Sequence, residues 1–130
     1  MTIRILAIDD EPTTLHMLRL TLQLKRPDWV FLGAEDGQRA LELVAQQAID
    51  VVLLDISMPG MDGFEVCRRL RALPQTATVP IVMFTALDTD DRRERALAAG
   101  ATAFWVKPFL PAEFLPEIER LAVSNQRTGD

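Results

Sequence analysis

The stretch VVLLDISMPGMDG, residues 51–63, decides how this chain folds. Four apolar residues, Val51 to Leu54, run into an aspartate, and the segment after it is dense in proline and glycine. A short apolar run bounded by turn residues reads as a strand buried on both faces. Asp55 therefore stands at the carboxyl end of a central strand, with Ser57 to Gly63 as a loop beyond it.

Three other stretches follow the same plan. Ile3 to Ile8 leads into Asp9, Asp10 and Glu11; Ile81 to Phe84 leads into Thr85; Ala103 to Val106 leads into Lys107. Trp29 to Ala34 reads as one more strand. Between the strands lie helical patterns. Pro12 opens the first, with Leu15, Leu18 and Leu22 at helical spacing. Asp36-Gly37 turns the chain into the second, carrying Ala40, Leu41, Val44 and Ala48. Phe64 to Leu73 forms the third, with Phe64, Cys67 and Leu70 on one face, and Pro74 to Pro80 is a connector. The fourth starts within Asp88 to Arg92, where early aspartates complement its dipole, and ends at Gly100. The fifth is predicted from Pro111 or Ala112 to Val123; unless it begins near Leu115, Pro116 deletes a backbone hydrogen bond and bends its first turns. Residues 124–130 read as a polar tail. Five alternations of strand and helix predict an α/β fold, a parallel sheet covered on both faces. In such sheets ligands bind at the carboxyl ends of the strands, where all four marked stretches end.

The chain has 130 residues, enough for one domain with a proper core and too few for a second. Hydrophobic residues at 48% and charged residues at 25% fit a soluble globular protein and argue against disorder. A net charge of -5 argues against direct nucleic-acid binding. The single cysteine, Cys67, excludes an internal disulfide and reads as a small buried residue. No apolar run approaches the ~18 residues that cross a bilayer, and the N-terminus turns acidic too early for a signal peptide. The expected compartment is the cytoplasm, with no membrane partner.

Carboxylates gathered at one sheet edge repel and raise each other's pKa, which a hard cation relieves. Three carboxylates with water and a backbone carbonyl suit Mg²⁺. A lysine and a threonine hydroxyl across the same crevice point to a phosphoryl group as the other guest. Singly, each residue has an ordinary role: a strand-end aspartate caps a helix, Thr85 satisfies backbone groups, Lys107 is a solvated charge, Phe104 is core or rim. His16, with no second ligand near it, reads as a surface residue. Glu11 either adds to the acidic field or caps the helix opened by Pro12. Met58, Pro59, Gly60 and Gly63 shape the loop, the glycines offering positive φ. The combination, one signature per strand end and in order, outweighs these separate readings.

That constellation resembles the receiver domain of two-component response regulators, chemotaxis regulators among them, over Ile3 to about Val123, so that residues 1–123 form the domain. The resemblance implies a flavodoxin-like (βα)5 three-layer sandwich with a five-stranded parallel sheet of order 2-1-3-4-5. It implies that Asp55 is the phosphoacceptor, served by a phosphohistidine on a sensor histidine kinase or histidine phosphotransfer protein. Asp10, Asp55 and the backbone carbonyl of Ser57 would ligate Mg²⁺, with Asp9 acting mainly through a metal-bound water. Lys107 would pair with the phosphoryl oxygens, Thr85 would move to hydrogen-bond them, and Phe104 would swing inward behind it. The Lys107-Pro108 bond is expected to be cis, aiming the lysine into the site. The residues two beyond Asp55 and Thr85, Ser57 and Leu87, would set the phosphoryl lifetime, apolar Leu87 slowing hydrolysis.

Other functions fit less well. A phosphohydrolase of the haloacid dehalogenase type needs an aspartate where Ser57 stands, so a turnover enzyme is not expected. A flavin binder needs a Ser, Thr and Gly-rich loop where Asp9-Asp10-Glu11 stands. The alternative from another class is a pseudo-receiver, an interaction module without phosphorylation, marked by loss of site residues that are all present here. A downstream effector domain or protein is the expected output partner, through the face of the fourth helix, fifth strand and fifth helix. The acidic dimer interface of winged-helix regulators is not expected, because Gly100-Ala101-Thr102-Ala103-Phe104 lacks its acids. Phe109, Leu110, Phe114 and Leu115 with Pro116 predict instead an apolar output surface open to a partner or a homodimer. Trp105, alternating with Phe104, is expected under a helix.

Overall fold

The computed structural model describes residues 2–58, 60–107 and 110–128. Strands β1 (Arg4–Ile8), β2 (Val30–Ala34), β3 (Val51–Asp55), β4 (Ile81–Thr85) and β5 (Ala103–Val106) alternate with helices α1 (Pro12–Lys25), α2 (Gly37–Gln46), α3 (Gly63–Arg71), α4 (Asp90–Ala99) and α5 (Pro111–Thr128). The strands pair in parallel in the order β2-β1-β3-β4-β5, as expected. The continuous apolar runs of β3 and β4 are buried at every residue, whereas the edge strand β5 is half-buried throughout and β2 is half-buried except at Ala34.

Alternation along the strands divides the core in two. Leu6, Ile8, Val52, Leu54 and Met83 face α2, α3 and α4, and Phe104 packs against that cluster. Ile5, Ala7, Val51, Leu53 and Phe84 face α1 and α5, and partly buried Trp105 packs there, as expected. Cys67 is buried, its thiol donating to the Ala99 carbonyl at 3.4 Å.

Side-chain caps fix three helix starts: Asp36, Asp62 and Thr89 accept from the backbone N–H three residues on, each worth about 1 kcal/mol. Gly100 closes α4 at φ 106°, a left-handed conformation that favours glycine. Arg71 binds the connector after α3 to the end of α4. Its guanidinium donates to the carbonyls of Thr76, Ala77, Val79 and Gly100 and to the Thr102 hydroxyl.

Three expectations need correction. Ala48 lies beyond α2 and is exposed; Leu43 carries that part of the inner face and Ile49 re-enters the core. The helix α5 starts at Pro111 with Pro116 inside it, as expected, but continues past Val123 to Thr128, because the polar residues there do not break a helix. Phe114 and Leu115 are each only 4% exposed: with Ile118, Leu121 and Ala122 they form α5's inner stripe against the sheet, not an output surface. Leu110 is exposed as expected, and Phe109 lies outside the described residues. No helix among the described residues is long and apolar enough to cross a membrane.

Candidate functional site

Strand register brings the marked residues together. Ile8 pairs with Leu54, Asp55 with Phe84, and Thr85 with Val106, so Asp9, Asp10, Asp55, Thr85 and Lys107 emerge at one end of the sheet. Asp9, Asp10 and Asp55 each place a carboxylate oxygen within 4.8 Å of the others. Asp9 is fully buried and Asp55 nearly so. Lys107 Nζ lies 3.5 Å from Asp9 Oδ2 and 3.9 Å from Asp55 Oδ2.

One ammonium does not balance three carboxylates. Burial, then the charge of Asp9, pushes the Asp55 carboxyl up to about 6 against the pull of Lys107 and the Ser57 N–H. Burial likewise raises Asp9, although it accepts a hydrogen bond from the Glu11 N–H and faces Lys107. A compact all-oxygen cluster that is costly to ionise fits a hard divalent cation such as Mg²⁺. Glu11 stands at the N-cap position of α1 but its side chain makes no capping bond, and His16 is exposed.

The loop after β3 folds back over its own strand. Asp55 Oδ1 accepts from the Ser57 N–H at 3.2 Å, and the Gly63 N–H donates to the Ile56 carbonyl at 3.1 Å. A Cβ at Gly63 would lie 2.4 Å from the Asp55 carbonyl oxygen, so close approach, not positive φ, calls for that glycine. Gly60 does adopt φ 75°, as expected. Pro59 and Pro108 lie outside the described residues, the Lys107-Pro108 bond with them. Thr85 Oγ1 accepts from the Leu87 N–H, and Phe104, half-buried, has the Arg93 guanidinium over its ring at 4.7 Å.

Sequence reasoning missed Arg92. Thr89 caps α4 through the Arg92 N–H, which sets this side chain on the first turn, and its Nη1 donates to Ser57 Oγ and Thr85 Oγ1 at 3.3 Å each. Within Arg92-Arg93-Glu94-Arg95 it reads as part of a solvated run; the threonine cap three residues earlier was the signal available.

The sequence pattern described as "response regulator receiver domain" matches residues 5–119, the span that builds this sheet and its acidic edge. The chain belongs to that family. The receiver is 41% identical over 108 residues to the response regulator PleD of Caulobacter vibrioides, covering 83% of this chain and 23% of that protein. It is 40% identical over 123 residues to the DNA-binding response regulator MtrA of Mycolicibacterium smegmatis, covering 95% and 52%. The chain thus spans from about a quarter to half of these relatives. Among solved structures, the receiver superposes on the Vibrio cholerae chemotaxis protein CheY4 with a TM-score of 0.87 at 32% identity, covering 93% of this chain and 99% of that one. The receiver domain of the Pseudomonas aeruginosa sensor histidine kinase PA1611, with magnesium coordinated in its cleft, gives 0.84 at 28% identity, covering 95% and 99%.

Proposed function

We propose that this receiver accepts a phosphoryl group on Asp55 from a phosphohistidine of a sensor histidine kinase or phosphotransfer protein, with Mg²⁺ present, and signals through the surface of α4, β5 and α5. The observation that carries the reading is Asp55 itself: a nearly buried carboxylate within 4.8 Å of Asp9 and Asp10 and 3.9 Å from an ammonium, at a sheet edge open to solvent through Asp10.

Asp10, Asp55 and the Ser57 carbonyl would hold the cation, with Asp9 acting mainly through a bound water. The cation supplies positive charge that offsets repulsion between carboxylate and phosphoryl oxygens. The chain's own residues do the rest. The Ser57 N–H fixes the Asp55 carboxylate through Oδ1, leaving Oδ2 on the side of Lys107 as the attacking oxygen. The Asp55 oxygen forms the new bond to phosphorus as the donor's P–N bond breaks and the imidazole leaves. Lys107 neutralises charge that grows on the phosphoryl oxygens. Thr85 then turns its hydroxyl to the phosphoryl group and Phe104 follows inward, a population shift between two packings. The exposed stripe Met17, Leu20 and Leu24 on α1 lies on the helix following the acidic loop and is offered to the phosphodonor. A downstream effector domain or protein, or a second copy of this chain, would read the α4-β5-α5 face. On this reading the chain is a cytoplasmic signalling domain without catalytic turnover, and does not itself bind nucleic acid.

Intact-mass analysis after incubation with acetyl phosphate, with and without Mg²⁺, tests this. One phosphoryl group gained only with Mg²⁺, and lost in Asp55→Asn, is the expected result. No gain with acetyl phosphate or with a phosphorylated donor domain would leave the pseudo-receiver.

A further inference from the structure

We infer that Arg92 is a second cationic ligand of the phosphoryl group on Asp55, acting from α4 while Lys107 acts from β5; the inference rests on the phosphoacceptor reading above. Three observations lead to it. First, Arg92 Nη1 touches the hydroxyls of Ser57 and Thr85, the residues that flank the acceptor: Ser57 holds Asp55 Oδ1 through its N–H, and Thr85 ends the strand paired beside Asp55. A phosphoryl oxygen accepting from Thr85 would lie about 3 Å from that hydroxyl, hence no more than about 6 Å from Nη1, within one side-chain rotation.

Second, the guanidinium has no carboxylate partner among the described residues, although Asp88, Asp90 and Asp91 adjoin it in sequence. Its neighbour Arg93 is paired with Asp88, and Arg68 and Arg69 with Glu65. Two neutral hydroxyls are weak acceptors for a guanidinium, whose forked donors match phosphoryl oxygens. Third, Arg92 lines a cleft with Ser57, Met58, Asp62, Leu87, Asp91 and Arg95 beside the acceptor, neither aspartate within ion-pair distance of it, which gives the side chain room to turn. Phosphorylation raises the negative charge on Asp55, and Arg92, without a carboxylate partner among the described residues, stands on the α4 side of the acceptor against Ser57 and Thr85. Because Arg92 lies in the first turn of α4 and Arg93 covers Phe104, the same turn would sense both the phosphoryl group and the aromatic switch.

The test uses the 130-residue chain as wild type, Arg92→Gln, Arg92→Lys and Arg95→Gln. Beryllofluoride, a phosphoryl mimic, is titrated in Mg²⁺ and followed by ¹⁹F NMR; Mg²⁺ affinity and melting temperature are measured separately. Arg92→Gln is expected to weaken beryllofluoride binding about tenfold, with Mg²⁺ affinity and melting temperature unchanged. Arg92→Lys should recover part of the loss, and Arg95→Gln should match wild type. Wild-type beryllofluoride affinity in Arg92→Gln would overturn the inference. So would an equal loss in Arg95→Gln, which would mean a general field, or an equal loss of Mg²⁺ affinity in Arg92→Gln, which would mean a disturbed acidic cluster. If the wild type neither binds beryllofluoride nor gains a phosphoryl group, the phosphoacceptor reading fails and takes this inference with it.

Discussion

Asp55→Asn should make the metal-free protein more stable at neutral pH, and the size of the effect follows from the site. Asp55 rises from an ordinary 3.8 to about 6 because folding buries it beside Asp9. At about 1.4 kcal/mol per pH unit, ionising it in the folded chain costs about 3 kcal/mol more than in the unfolded chain. Water at the mouth of the site screens part of that, and asparagine is a weaker acceptor for the Ser57 N–H, leaving a gain of about 1–2 kcal/mol. The sign is fixed by the direction of the shift. With the folded-state value above the unfolded one, the stability from protonated Asp55 is complete below about pH 4 and is lost as pH rises through about 6. The advantage of Asp55→Asn is therefore small at pH 4, opens across pH 4 to 6.5 and is full at pH 7.5. Urea unfolding in EDTA at several pH values measures it. Saturating Mg²⁺ should narrow the gap, since a cation that binds only the folded state stabilises the wild type more. A variant no more stable than wild type at pH 7.5, or a gap indifferent to pH, would refute the electrostatic argument.

Arg71→Ala should lower stability by about 2–4 kcal/mol, read as a lower urea midpoint, because it leaves buried and half-buried carbonyls without a donor. Arg71→Lys should recover little of it, since an ammonium cannot reproduce the fork that spans Val79, Gly100 and Thr102. Phe114→Ala should cost about 3–5 kcal/mol as a core truncation; a loss under 1 kcal/mol would return Phe114 to the surface role its sequence context implied. Leu87→Asn, at a side chain 56% exposed in the cleft beside Ser57, should shorten the phosphoryl lifetime severalfold, and an unchanged decay by intact mass would discard that role.

The features legible in the sequence were those written in adjacent residues. Val51 to Leu54 and Ile81 to Phe84 announced central strands because both faces are buried, and the carboxyl-end chemistry followed from chain direction alone. Phe114 and Leu115 read as surface because Pro116 beside them marks a distorted first turn and the exposed Leu110 precedes them, whereas α5 continues through Pro116 and turns both inward. Arg71 and Arg92 were invisible for another reason. Arg71 meets Gly100 and Thr102 across 29 and 31 residues, and Arg92 meets Ser57 across 35, so their roles exist only once α3, α4 and the loop after β3 are packed. A charge in a run of charges carries no local mark of its partner.

The alternation of Phe104 and Trp105 in β5 has an optical consequence. The indole packs in the α1 and α5 layer, back to back with the ring proposed to move on the other side of the strand, and two residues from Lys107. Trp29, the other tryptophan, lies just before β2 at the opposite margin of the sheet, near the Arg26 guanidinium. The chain thus carries one fluorophore on the strand proposed to respond and a second at the far rim, so with Trp29 replaced by phenylalanine the emission of Trp105 alone is expected to report a change at the acidic site with no dye attached.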